Sequence, residues 1–170
     1  MKQVIILVGP KGAGKSTIGD LLEKNLRIHF VRVEPLFIKV RESFGASHPD
    51  YERLGYELVL SHLCKELSTH NLMCFESTGA SEYFMWLLVE LRKLAHVLPV
   101  QILVERTQCL DRITQRDASI HINVSDDQID RINDLAYQVD LPWAARIDNR
   151  GPFDASIIMN SINDLLHQSH

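Results

Sequence analysis

The sequence predicts an α/β protein in which a parallel sheet is covered by helices on both faces. Two observations carry this. Strand-length apolar runs such as Val4-Ile5-Ile6-Leu7-Val8 and Leu72-Met73-Cys74-Phe75 are continuous rather than alternating, as strands buried on both faces are. Between these runs lie segments long enough for helices, and strands joined through helices run parallel.

The elements follow in order. A strand over about residues 3–8 leads through a glycine-rich loop into a helix from about 15 to 26. Ile28 to Val33 alternates enough to form a second strand. Residues 34–70 read as two helices: Pro35 suits a first helical turn, Tyr51 to Leu67 carries apolar residues at helical spacing, and Gly45 to Pro49 separates the two. Leu72 to Glu76 is a short buried strand closed by Ser77-Thr78-Gly79, with a helix from about Ser81 to Leu94. Pro99 to Val104 is placed as the fourth strand, followed by a helix over 108–117. Ser125-Asp126-Asp127-Gln128 is a capping-box pattern opening a helix to about Val139. Ala145-Arg146-Ile147-Asp148 is the last strand, and Asp154 can cap the final helix. No internal repeat or linker interrupts this order, so one domain is expected over residues 1–170.

The segment with the most chemical content is Gly9-Pro10-Lys11-Gly12-Ala13-Gly14-Lys15-Ser16, followed by Thr17. It matches G-x-x-x-x-G-K-[ST] and sits between a strand and a helix. That is the setting in which glycines let successive backbone N–H groups curl around phosphates. The helix beginning near Lys15 directs its positive dipole end at the same anion. Lys15 is expected to reach the β- and γ-phosphates, and the Ser16 hydroxyl to ligate Mg²⁺. A nucleoside triphosphate, ATP with Mg²⁺, is the implied ligand.

Composition narrows the class. Eighteen basic against 22 acidic residues give a net charge of −4, which argues against a general nucleic-acid binder. No apolar run approaches the roughly 20 residues that span a bilayer. The chain enters a strand at once, so no signal or transit peptide is expected and a cytoplasmic location is. Cys64, Cys74 and Cys109 are widely spaced and odd in number, which argues against a zinc site or disulfide framework. The eight histidines show no metal-ligand spacing and are expected mostly at the surface.

With these features the chain resembles the small metabolite kinases, and shikimate kinase in particular. The loop GPKGAGKSTIG from Gly9 to Gly19 is nearly that family's version, Phe30-Val31-Arg32-Val33-Glu34 sits where the family closes strand two with acids, and Thr114-Gln115-Arg116-Asp117 looks like the start of its lid. The resemblance implies a P-loop NTPase fold: a three-layer α/β/α sandwich on a five-stranded parallel sheet of order 2-3-1-4-5. It also implies a helical acceptor flap over 34–70 and a lid over about 112–126. The chain departs from the pattern at Arg32, which replaces the first acid, and at Glu34, which replaces an aspartate. Ser77-Thr78-Gly79-Ala80 replaces a glycine triplet, and Ile120-His121-Ile122-Asn123-Val124 replaces the lid's arginine-proline pair. The acceptor is therefore left open between shikimate-like, nucleoside and nucleotide classes.

Further candidates follow. Glu76 ends strand three, where a carboxylate can serve the Mg²⁺ shell or act as base for an acceptor hydroxyl. Glu34 ends strand two, where shikimate-like kinases hold substrate; its alternative is a helix N-terminal acid. Both lie on the carboxyl edge of a parallel sheet. Arg112 and Arg116 share a helix face and are candidates to neutralise the migrating phosphoryl group; their alternative is a solvated face, with Arg112 paired to Asp111 or Asp117. Asn149-Arg150-Gly151 follows the last strand, where Gly151 would let backbone approach the adenine and Arg150 stack on it, against the alternative of an ordinary turn. Lys39, Arg41 and Arg53 are candidate anchors for an anionic acceptor, and Tyr51 and Tyr56 for a planar one. The leading function is transfer of the γ-phosphoryl group to a small-molecule hydroxyl or phosphate. The alternative is a nucleotide-binding regulator without an acceptor. A guanine-nucleotide switch lacks its N-K-x-D segment, and the acidic charge disfavours a kinase of nucleic-acid ends.

Overall fold

The computed structural model describes residues 1–115 and 125–168. Five parallel strands, β1 (Gln3–Val8), β2 (His29–Val31), β3 (Leu72–Ser77), β4 (His96–Leu103) and β5 (Ala145–Asp148), form one sheet in the order β2-β3-β1-β4-β5. The connections are helical: α1 (Lys15–Leu26), α2 (Glu34–Phe44), α3 (Tyr51–Thr69), α4 (Glu82–Arg92), α5 (Arg106–Thr114), α6 (Asp126–Tyr137) and α7 (Ala155–Gln168). This is the expected architecture and strand order.

Every residue of β1 is buried, because helices cover both faces of the central strands. Val4, Ile6 and Val8 point into one core layer with Leu63 and Phe84 from α3 and α4. Ile5 and Leu7 point into the other, with Ile18 of α1 and Ile162 of α7. The alternating directions of strand side chains thus fill two cores from one uninterrupted apolar run. The register Leu7↔Glu76 and Val8↔Ser77 brings the end of β3 level with the start of the phosphate loop.

Boundaries differ at three places. β2 shortens to His29–Val31. α5 occupies Arg106–Thr114 instead of starting at 108. β4 begins at His96, upstream of Pro99. Proline normally opens a strand or sits at an edge because it lacks a donor. Here the Pro99 carbonyl accepts from Ala144 N at 2.8 Å, so its backbone polar edge faces the β5 side, and β5 pairs only from Val100 onward. The missing N–H therefore costs the β1 ladder nothing. Cys74 and Cys109 are buried and Cys64 is exposed, none of them in a disulfide. Among the described residues no helix is long and apolar enough to cross a membrane.

Candidate functional site

The turn from β1 into α1 is built by backbone that only glycine adopts comfortably. Gly12 and Gly14 have φ of 85° and 84°, and Gly14 is the N-cap of α1. A side chain at Gly12 would meet the Cys109 carbonyl oxygen at 2.3 Å, so α5 packs directly on the loop backbone. Gly9 is anchored by its N–H to the Ser77 carbonyl at 3.2 Å. Ala13 is fully buried, and Thr17 lies exposed in the first turn of α1.

Two asparagines hold this loop from outside. Asn133 of α6 accepts from Lys11 N at 2.7 Å and donates to Lys11 O at 3.3 Å. Asn149, just past β5, donates to Ala13 O at 2.8 Å, and its own carbonyl accepts from Arg112 at 3.1 Å. Asn149 was expected beside the adenine; its side chain is committed to the loop. Asn133 was not anticipated at all. Both are buried, so their amides are the fixed partners that buried polar groups require.

Lys15 is buried, and its ammonium donates to the carbonyls of Gly9 and Pro10 at 2.8 and 2.7 Å. The Ser16 hydroxyl faces the Glu76 carboxylate, with contacts of 2.9 and 3.0 Å to its two oxygens. Hard oxygen donors in this pairing suit Mg²⁺. Arg112 stands at the same loop: a Cβ added to Gly14 would lie 3.8 Å from its Nη1. That Nη1 is buried without a hydrogen-bond partner among the described residues. Arg116 lies outside the described residues, as do the other lid positions of 116–124. Arg150 pairs with Asp148 at 2.5 Å and is exposed, while Gly151 faces open space. The Arg150 side-chain and backbone bonds hold the Asp148 carboxyl down at about 2.

Beside the loop opens a cavity of about 560 Å³. Lys15, Ser16 and Glu76 border it on one side, while Glu34, Tyr51 and Tyr56 from α2 and α3 contribute to its other walls. Burial pushes the Tyr56 phenol up to about 12, against a lowering influence from Ser77. Lys39, Arg41 and Arg53 do not line the cavity. Arg53 instead pairs with Asp50 and Glu57, at 3.2 and 2.7 Å.

A second convergence lies at the opposite, amino edge of the sheet. His29 Nε2 is 3.0 Å from Glu66 Oε2, and the His29 and His70 rings stack at 4.0 Å with 12° between planes. Nearly parallel rings do not aim their in-plane lone pairs at one point, so this cluster joins α3 to β2 without the geometry of a metal centre.

No protein-family profile and no curated protein matches the chain. Solved structures do. A sugar kinase from a Janibacter species superposes with a TM-score of 0.70 at 9% identity, over 98% of this chain and 95% of that one. Shikimate kinase from Acinetobacter baumannii, in complex with shikimate, gives 0.68 at 20% identity over 99% and 95%. The APS kinase of Mycobacterium tuberculosis, in complex with AMPPNP and APS, gives 0.65 at 14% identity over 98% of each chain.

The fold is that of the small P-loop kinases.

Within this P-loop kinase fold, the phosphate loop, Glu76 and the adjoining cavity lie together at the carboxyl ends of β1, β2 and β3. That is the ligand edge of an open parallel sheet.

Proposed function

We propose that the chain is an ATP-dependent phosphotransferase acting on a small molecule held in the cavity beside the phosphate loop. The observation that carries this reading is the continuity of the Ser16–Glu76 pair with a cavity large enough for a metabolite. A nucleotide-binding regulator has no need of such a cavity, which disfavours that alternative.

The loop from Gly9 to Thr17 would hold the triphosphate, with Asn149, Arg150 and Gly151 on the nucleoside side. Ser16 and Glu76 would hold Mg²⁺, which spreads the charge of the phosphates when bound. Lys15 would leave its carbonyl partners for the β- and γ-phosphates. Arg112, whose buried Nη1 has no hydrogen-bond partner among the described residues, would add a charge-assisted bond to the phosphates, together with Arg116.

Glu34 lines the cavity at the carboxyl edge of the sheet and would serve as the base for the acceptor hydroxyl, with Glu76 placed on Mg²⁺. Glu34 would take the hydroxyl proton as the acceptor oxygen bonds to the γ-phosphorus. The bond from that phosphorus to the bridging oxygen breaks, and ADP leaves with the electron pair.

The test is a metabolite screen for ADP release with purified protein and Mg-ATP, repeated with Lys15→Ala. Acceptor-stimulated ADP release, lost in the variant, is expected. Undiminished turnover in Lys15→Ala would remove the assignment.

A further inference from the structure

The acceptor cavity has an unusual charge for a kinase site that would take an anionic metabolite. Its described lining contains no arginine and no histidine. Among the described residues its only cations are Lys11 and Lys15, both in the phosphate loop, while Glu34, Glu52, Glu76 and Glu82 all border it. Recognition of a carboxylate or sulfate acceptor calls for guanidinium forks or equivalent donors. The nearby arginines are placed otherwise. Arg32 is ion-paired with Asp20 of α1 and lies over the Phe30 ring at 4.9 Å, Arg53 is paired with Asp50 and Glu57, and Arg41 is exposed and outside the lining, although its charge reaches the Tyr51 phenol.

Aromatic rings line the same cavity. Phe37 meets Tyr56 edge-on at 5.5 Å and 82°, and Tyr51 tilts toward Phe37 at 6.0 Å and 60°. All three line the cavity, and Ser81 donates to Glu52 at 2.8 Å, tying the start of α3 to the start of α4. Aromatic rings beside carboxylates attract organic ammonium groups through the ring quadrupole and direct charge pairing.

We propose that the acceptor is a hydroxyl-bearing organic ammonium compound, its cationic group held by Phe37, Tyr51, Tyr56 and Glu52 and its hydroxyl turned toward Glu34. This rests on the phosphotransferase reading and narrows its substrate class. Glu82, on the first turn of α4, adds to the negative field at the same wall.

Three probes share one benzylic hydroxyl and one ring and carry an ammonium-methyl, a neutral hydroxymethyl or a carboxylate group beside it: 2-amino-1-phenylethanol, 1-phenylethane-1,2-diol and mandelate. Affinity for each is measured by calorimetry on the protein with Mg-ADP bound, and turnover by ADP release with Mg-ATP. The amine is expected to bind at least about tenfold more tightly than mandelate, with the diol between them. Glu52→Gln should reduce that ratio to about threefold or less, with Mg-ADP affinity and thermal melting showing that the variant is folded. Equal or tighter binding of mandelate, binding of none of the three, or an unchanged ratio in Glu52→Gln would overturn the acceptor class. Failure of the wild-type protein to bind Mg-ATP would overturn the phosphotransferase reading itself, which is a separate readout.

Discussion

Asn133 satisfies both backbone groups of Lys11, accepting from its N–H at 2.7 Å and donating to its carbonyl at 3.3 Å. One amide side chain on α6 thereby fixes the crest of a loop 122 positions earlier. Asn133→Ala leaves the half-buried Lys11 N–H and C=O without their amide partner, a loss of about 1 kcal/mol. Mg-ATP affinity should fall about tenfold by calorimetry, along with a lower thermal midpoint. Unchanged affinity would show that the loop keeps its shape unaided.

Ser16 and Glu76 act on one ion in the proposed mechanism, so their variants should not add. Ser16→Ala and Glu76→Gln are each expected to lower kcat about 10²-fold, and the double variant little further. Initial rates across a Mg²⁺ titration check this. Independent, multiplying effects would separate the two residues functionally.

Arg112 has one guanidinium nitrogen spent on the Asn149 carbonyl and another buried beside Gly14 without a partner among the described residues. Arg112→Ala should raise KM for ATP about tenfold, and Arg112→Lys should restore it only in part because an ammonium lacks the planar fork. Full rescue by lysine would reduce the role of Arg112 to charge alone.

Gly55 lets the Phe37 ring lie against α3: a Cβ there would stand 2.2 Å from the ring. Gly55→Ala should push Phe37 aside, at about 1–3 kcal/mol in stability, and reshape the acceptor cavity. The acceptor KM is expected to rise about tenfold while ATP affinity holds, as steady-state kinetics and calorimetry would report. An equal loss of both would mean that the damage spreads beyond the acceptor wall.

Asp148 is held at about 2 by its bonds to Arg150. Its folded value lies below the roughly 3.9 of a free aspartate, so the pair favours the folded state above about pH 4. That contribution fades as pH falls from about 4 through 2. Asp148→Asn should therefore melt lower than wild type at pH 6, with the gap closing below pH 4. A gap independent of pH would assign the effect to packing rather than to charge.

Much of this molecule was legible before its structure. The uninterrupted run Val4–Val8 announced a strand buried on both faces, and the spacing of the loop after it pointed to the P-loop fold. The position of Glu76 was legible because a carboxylate that ends an apolar run lands at the carboxyl edge of the sheet. Asn133 was not, because its meaning comes from a contact across 122 positions that no local pattern records. Pro99 misplaced the start of β4 because the side of the strand its backbone faces is a property of the assembled sheet. The charge of the acceptor wall was likewise hidden: Arg32, Arg41 and Arg53 read as anion anchors or an altered acid pair until their partners and the cavity lining appeared.

The loop and Glu76 grow from β1 and β3, paired along all six of their residues in the interior of the sheet, whereas Phe37, Tyr51 and Glu52 come from the two helices between β2 and β3. The loop and Glu76 are thus anchored in the interior of the sheet, and the aromatic wall of the cavity in helices of the outer layer. On the proposed function, substitutions in those two helices would change the guest molecule while leaving the loop and its supports untouched.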